Sequence, residues 1–311
     1  MPKYKAIIIN PGIIHHRLSL NERFIALYDI STWNSRVQTI QELDLLLEQN
    51  LNYTSVFLDE FEGNMVDDNV ISTLNKIRVE RINIRNLSDL YEKYELKIPV
   101  LKVNGNWIAL KDIVNLEVSY HIEVMKRCID LFVTILFAPI SIMLITLASG
   151  LIKLTSKGPV FFQQERVGKG QKKFSIIKLR TMIHNPDGYT EHTIENDKRI
   201  YPLGLFLRKS KIDELPQFYN ILLGHMSLIG PRPERTEIVN KLIKENPYYE
   251  LRHLIRPGIT GWAQINDPTA TPEQNYEKLE YDLFYIKKAS ILMDAKITIA
   301  TINVIWNQKS L

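Results

Sequence analysis

From Leu131 to Ile152 the chain runs for 22 residues without a charged side chain. This exceeds the roughly 18 apolar residues that mark a membrane-spanning helix, so the segment limits where the whole chain can sit. Three readings are open: a single span, a buried core helix, and a hairpin that dips into the membrane and returns. Pro139 lies near the middle, where it removes a backbone donor and bends a helix. Lys126 and Arg127 precede the run and Lys153 and Lys157 follow it. Basic flanks favour the cytoplasmic side, so basic residues at both ends of a broken helix fit a hairpin that enters and leaves by one face. A core helix fits less well, because the run is apolar all round.

The run divides the 311 residues into two differently charged parts. Residues 1–120 carry 13 Lys+Arg against 16 Asp+Glu, whereas residues 121–311 carry 26 against 19. The basic half is therefore the expected partner of an anionic ligand or membrane face. No basic stripe with interleaved aromatics and no zinc-finger spacing points to nucleic acid. The single cysteine, Cys128, permits no internal disulfide and fits a reducing compartment. No signal peptide is expected: Ala6–Ile9 is too short for a signal core and runs directly into Asn10-Pro11-Gly12.

Short β-branched runs at Lys5–Ile9, Phe24–Tyr28, Ser55–Leu58 and Ile82–Ile84 alternate with helical patterns at Val37–Glu48, Val70–Ile77 and Leu87–Tyr94. This rhythm predicts a small α/β accessory domain over residues 1–120, Rossmann-like with a mostly parallel sheet. Val100–Val103 and Trp107–Leu110 flank Asn104-Gly105-Asn106 and read as a β-hairpin. The first strand leads into Asn-Pro-Gly-Ile-Ile, which is no glycine-rich phosphate loop. A regulatory or oligomerisation role, such as homodimer formation, is the expected use. His15-His16 points in two directions and reads as a surface loop rather than a metal site. The chain then divides into the apolar segment with its basic flanks, 121–155, for which a membrane hairpin is the leading reading, and an α/β domain, 156–311. In that domain, helices are expected at Phe218–Leu223, Glu237–Lys244 and Tyr276–Tyr285, and Ile291–Trp306, apolar with few charges, is expected to rest on the membrane interface. A polar loop is expected at Ile183–Lys198.

Three segments carry candidate chemistry. In the first, Arg208-Lys209-Ser210-Lys211 precedes the adjacent carboxylates Asp213 and Glu214. Like charges this close need cations or a metal to offset them. Ser210-x-x-Asp213 also resembles a capping box, but Pro216 would then break the helix just begun. With Asp213 as cap, Pro216 falls in the first turn, where its missing donor costs little. The dyad would then stand at a helix N-terminus beside Arg208, a place that welcomes phosphate. In the second segment, Gly230-Pro231-Arg232-Pro233, two prolines restrict the backbone around one guanidinium, which suits either a bidentate phosphate contact or a rigid turn with an exposed Arg. The third is Arg256-Pro257-Gly258-Ile259-Thr260-Gly261-Trp262-Ala263-Gln264, where Trp262 suits stacking on a ligand or, more commonly, packing in a core.

Together these segments resemble the bacterial sugar transferase family, the monotopic phosphoglycosyl transferases that act on polyprenyl phosphate. The likeness covers about residues 121–310. It begins at Lys126-Arg127-x-x-Asp130 and continues through Gly158-Pro159-Val160-Phe161, Gln164-Glu165-Arg166-Val167-Gly168, Phe174, Lys178-Leu179-Arg180-Thr181-Met182 and Asn196-Asp197-x-Arg199. The Asp213-Glu214 segment, Asn220 to Pro233, the Arg256 segment and Asp282-x-x-Tyr285 complete it.

The resemblance implies a re-entrant helix-break-helix, with Lys126, Arg127, Asp130 and Pro139 as its marks, on the cytoplasmic face of a bacterial inner membrane. It implies that Asp213 attacks the β-phosphate of a UDP-sugar and releases UMP, and that polyprenyl (undecaprenyl) phosphate then takes the phosphosugar. Glu214 would hold Mg²⁺, and Arg208, Arg232 and Arg256 would hold phosphate groups. Such a reaction starts the assembly of exopolysaccharide, capsule, O-antigen or glycoprotein glycan. The sequence departs from the family pattern at Ala138, where serine usually precedes the membrane proline, at Tyr201, usually threonine, and at Leu205, often basic. The sequence does not reveal which sugar is moved.

Overall fold

The computed structural model describes residues 4–9, 11–33, 53–58, 83–103, 106–109, 116, 118–184, 197–267 and 275–306. The chain forms two units, Met1–Asp112 and Ile113–Leu311. The helices expected at Val37–Glu48 and Val70–Ile77, and most of the loop expected at Ile183–Lys198, lie outside the described residues.

The first unit contains strands β1 (Tyr4–Ile9), β2 (Tyr28–Trp33), β3 (Tyr53–Leu58) and β4 (Asn83–Asn86). All pair in parallel, in the order β2-β1-β3-β4. Ala6, Ile7 and Ile8 of β1 are all fully buried, as expected for a parallel strand covered on both faces. Helices α1 (Ile13–Leu18) and α2 (Glu22–Leu27) connect β1 to β2, and α3 (Leu87–Glu95) follows β4. Two expectations are corrected here. Phe24–Leu27 is helical rather than extended: the Asn21 side chain accepts the Phe24 N–H at 3.1 Å and caps α2, and the strand begins at Tyr28. His15 and His16 lie on α1, not in a loop. The hairpin forms as expected, with β5 (Val100–Val103) antiparallel to β6 (Asn106–Ala109).

The second unit begins with α4, a 36-residue helix from Tyr120 to Thr155 that runs through Pro139. Among the described residues it is the one helix long and apolar enough to cross a membrane. Its buried positions are Asp130, Thr134, Ser141, Ala148 and Ile152. Their spacing of four and seven residues puts them on one face, whereas Phe132, Ile135, Ile142 and Leu147 are more than half exposed.

After α4 come the antiparallel pair β7 (Phe161–Val167) and β8 (Lys173–Leu179), then α5 (Pro202–Lys209), a 3₁₀ turn (Ile212–Glu214) and α6 (Gln217–Leu222). Strand β9 (Ser227–Ile229) pairs in parallel with β10 (Gly258–Thr260), with α7 (Thr236–Glu245) and a 3₁₀ segment (Pro247–Leu254) between them. Helices α8 (Trp262–Asn266), α9 (Asn275–Lys287) and α10 (Ile291–Trp306) close the unit. The contact between β9 and β10 requires glycine. A Cβ on Gly258 would stand 2.1 Å from the Gly230 nitrogen, and one on Gly230 would stand 2.3 Å from the Arg256 carbonyl oxygen.

The Lys126-Arg127-x-x-Asp130 motif anchors α4 to this unit. Lys126 donates to Tyr285 Oη at 2.7 Å and to Asp294 Oδ2 at 2.5 Å. Arg127 donates to the carbonyls of Ile221 (2.6 Å) and Leu222 (2.9 Å). Buried Asp130 accepts the Leu228 N–H at 2.9 Å and the Ser227 hydroxyl at 3.1 Å. At the other end, Ala148 and Ile152 pack with Leu179 and Leu207, and Arg180 donates to the carbonyls of Ser156 and Lys157. Asp130→Ala strands the buried Ser227 hydroxyl and the half-buried Leu228 N–H and is expected to lower stability by about 3 kcal/mol. Unfolding in detergent micelles checks this, and an unchanged transition would remove Asp130 from the anchor.

Candidate functional site

Both dyad carboxylates lie on the 3₁₀ turn Ile212–Glu214, and this corrects the capping expectation. Asp213 is inside the turn and does not cap α6. That helix begins at Gln217 with Pro216 at its N-cap, at φ −59° and ψ −18°. Ser210 is no capping-box residue either, since its hydroxyl donates back to the Phe206 carbonyl at 2.8 Å at the end of α5. Lys211 takes the left-handed conformation, φ 58°, and turns the chain from α5 into the dyad. A non-glycine residue held there stores backbone strain, a frequent mark of functional sites.

Glu214 is the electrostatic centre. Its Oε1 accepts from Lys178 Nζ at 2.6 Å and from Arg232 Nη2 at 3.2 Å. Burial pushes this carboxyl up, but Lys178 and Arg232 outweigh burial and hold it well below the usual carboxylate range. Asp213 shifts the other way. It is 7% exposed, and its Oδ1 has no hydrogen-bond partner. Burial raises its pKa to about 6, with Lys178 opposing the rise and Glu214 adding to it. Two neighbouring carboxyl groups are thus driven apart, an arrangement that commonly separates their chemical roles.

The scaffold fixes these cations. Lys178 lies on β8, and Asn220 ties that strand to α6: its Oδ1 accepts the Ile177 N–H at 3.2 Å and its Nδ2 donates to the Ser175 carbonyl at 2.8 Å. Arg232 follows β9 on the Gly-Pro-Arg-Pro loop, which two further guanidiniums grip. Arg252 donates to the Arg232 carbonyl at 3.0 Å, and Arg166 donates to the Pro233 carbonyl at 3.0 Å. Arg252 is itself held by Asp282 at 2.8 Å, both side chains being buried. A cavity of about 410 Å³ opens beside Glu214, Lys211 and Arg232, with Phe218 and Ile259 on its apolar wall.

Of the residues expected from sequence, Glu214 and Arg232 are in direct contact. Arg208, on the last turn of α5, donates to Thr181 Oγ1 at 2.8 Å and lies within the field of Asp213. Arg256 donates to the Gly224 carbonyl at 3.1 Å, beyond the C-terminal end of α6 whose last carbonyls Arg127 takes, so its described bond is to helix-end backbone. Trp262 is buried and stacks on Phe284 with ring centroids 6.0 Å apart, which is the core role. Lys178 was not singled out from sequence. It stands in Lys178-Leu179-Arg180-Thr181-Met182, and only the pairing of β8 with its neighbours shows that its ammonium reaches Glu214.

Magnesium commonly takes one or two carboxylates and completes its shell with water and substrate phosphate. Among the described residues no group of three metal-ligating side chains occurs. Glu214, facing the cavity, and the partnerless Asp213 Oδ1 fit such a carboxylate-poor site. Asp213 is protonated more readily when folded, so the stability this contributes is present at acid pH and lost as pH rises through about 6. In EDTA, Asp213→Asn is therefore expected to exceed the parent in stability by about 3 kcal/mol above neutral pH, with the gap closing toward pH ~4. Denaturant titrations across that range measure it, and a constant gap would contradict the assigned burial.

The bacterial sugar transferase family model matches residues 121–308. Over 183 residues the chain is 42% identical to the UDP-N-acetylgalactosamine-undecaprenyl-phosphate N-acetylgalactosaminephosphotransferase of Aeromonas hydrophila, covering 58% of this chain and 43% of that protein. It is 42% identical over 191 residues to the UDP-glucose:undecaprenyl-phosphate glucose-1-phosphate transferase of Klebsiella pneumoniae, covering 58% and 39%. It is 37% identical over 188 residues to the exopolysaccharide production protein PSS of Rhizobium leguminosarum bv. phaseoli, covering 58% and 94%. The match thus spans less than half the length of the first two relatives. With more than half of its residues matched, the chain belongs to the bacterial sugar transferase family.

Proposed function

We propose that this protein transfers a sugar 1-phosphate from a UDP-sugar to polyprenyl phosphate in two steps through Asp213. The Asp213 carboxylate attacks the β-phosphorus. The bond to the bridging oxygen breaks, and UMP leaves with its electron pair. An oxygen of polyprenyl phosphate then attacks the phosphosugar held on Asp213, returning the carboxylate and forming the diphosphate-linked sugar. A covalent intermediate of this kind splits one hard displacement into two easier ones.

The observation that carries this reading is the opposed state of the dyad: Asp213 poorly solvated and partnerless at Oδ1, beside a Glu214 already neutralised by Lys178 and Arg232. An anionic nucleophile must approach an anionic diphosphate, and preorganised cations lower that barrier. Arg232 and Lys211 face the cavity, where they would receive phosphoryl oxygens, and Arg208 adds positive potential at Asp213. Glu214 and Asp213 would hold Mg²⁺, which when bound supplies further neutralisation of the diphosphate.

Membrane placement belongs to the same reading. Both ends of α4 are bonded to the same unit, through Lys126, Arg127 and Asp130 before the apolar run and through Ala148 and Ile152 after it, with Pro139 between them. This supports a bend at Pro139 and a re-entrant α4 that enters the cytoplasmic leaflet of the inner membrane and returns. The site would then lie level with the lipid phosphate.

Membranes carrying the protein, given undecaprenyl phosphate and a panel of UDP-sugars, are expected to release UMP with at least one donor. Release of UDP instead would replace phosphosugar transfer with simple glycosyl transfer. Asp213→Asn is expected to lose at least about a thousandfold in rate while remaining membrane-bound, and near-parental turnover would end the covalent scheme. Tags before β1 and after α10 are both expected to be reached only from the cytoplasm.

A further inference from the structure

The cavity beside Glu214 holds a cation that the scheme above does not use. Lys278 lines it, together with Lys211, Glu214 and Arg232. Among the described residues Lys278 forms no ion pair and no hydrogen bond, although it is partly buried. The helix itself offers an obvious partner, since Asp282 lies one turn further along α9 on the same face. That carboxylate is ion-paired with Arg252 at 2.8 Å and reaches Lys278 only through its field. Glu234 and Asp267 also line the cavity and act on Lys278 only through their field. Burial draws the ammonium away from water, which is costly for a charge without a close partner. A residue kept in this state suits a ligand that brings the missing negative charge.

We propose that Lys278 is a further substrate-binding residue of this site, donating to a phosphoryl oxygen of the ligand held between Arg232 and the dyad. Lys278 and Arg232 come from different elements, α9 and the loop after β9, so an anion between them would be held by two independently anchored cations. The chemistry is that of a phosphate or diphosphate, and the identity of the ligand rests on the transfer reading above. Two sources carry that group: the nucleotide donor and the lipid acceptor.

Calorimetric titration of the full-length protein in detergent with inorganic pyrophosphate and with UDP reads the anion contact without turnover. UMP release at varied undecaprenyl phosphate reads the acceptor. Lys278→Met is expected to weaken binding of pyrophosphate and UDP by about tenfold or more if the nucleotide is the source, or to raise the acceptor KM by a similar factor if the lipid is. Lys278→Arg is expected to recover most of the loss. The thermal transition of Lys278→Met should not fall, because a partnerless charge is being removed, and this separates ligand binding from a structural role. Unchanged binding and unchanged acceptor KM in Lys278→Met, in a protein that releases UMP, would overturn the proposal. Lys278-dependent pyrophosphate binding in a protein that releases no UMP would instead overturn the transfer reading and keep the anion contact.

Discussion

The ion triad of Glu214 with Lys178 and Arg232 permits two consecutive carboxyl groups to share one short, poorly solvated turn. Without it, Glu214 would face the desolvation penalty that raises Asp213, and the cheaper state would be a protonated pair. With it, one carboxylate is firmly ionised and the other lies near the threshold. The three members come from three places: Glu214 from the turn after α5, Lys178 from β8, and Arg232 from the loop after β9. The site therefore exists only when the unit is assembled, and much of the surrounding structure can be understood as fixing those three positions.

That fixing reaches the long apolar helix α4. Asp130 and Lys126 on α4 bind the backbone of β9, at Leu228 and Ile229, and β9 leads directly into Gly230-Pro231-Arg232-Pro233. Arg127 grips the end of α6, whose start adjoins the dyad turn. The apolar helix is thus bonded to the backbone on both sides of the site. Arg166 and Arg252 then hold the carbonyls beside Arg232. Guanidiniums suit this work because each offers several fixed donors and remains charged when buried. Around the site the arginines divide the work: Arg166 and Arg252 are bonded to carbonyls beside Arg232, and the Arg232 side chain faces the cavity.

Much of this was legible in the sequence where local signals were strong. The uncharged run over Leu131–Ile152, the helices at Leu87–Tyr94 and Tyr276–Tyr285, and the hairpin after Val100 follow from composition, periodicity and turn chemistry. The dyad was legible as an unusual pair of adjacent acids after a basic cluster. Less legible were features decided by competition between local preferences. At Phe24 an apolar, strand-like run yields to a helix because Asn21 caps it. At Asp213 the capping rule failed because Lys211 adopts a left-handed turn, which makes the dyad a 3₁₀ corner rather than a helix start.

By itself, the sequence determined the kinds of group available and their order: an apolar helix with basic flanks, a pair of carboxylates, a rigid Pro-Arg-Pro loop, and the family to which these motifs belong. Only tertiary structure decided which cation meets which anion. Lys178 and Glu214 are 36 positions apart, and Arg252 and Asp282 are 30 apart, so no local rule pairs them. Nor could local rules show that Arg256 would turn to a helix-end carbonyl, or that Lys278 would be left facing a cavity while its helical neighbour Asp282 was taken by another residue. Periodicity and propensity act over a few residues, whereas the energy of a buried charge depends on everything within several ångströms, and that neighbourhood is known only once the chain has folded.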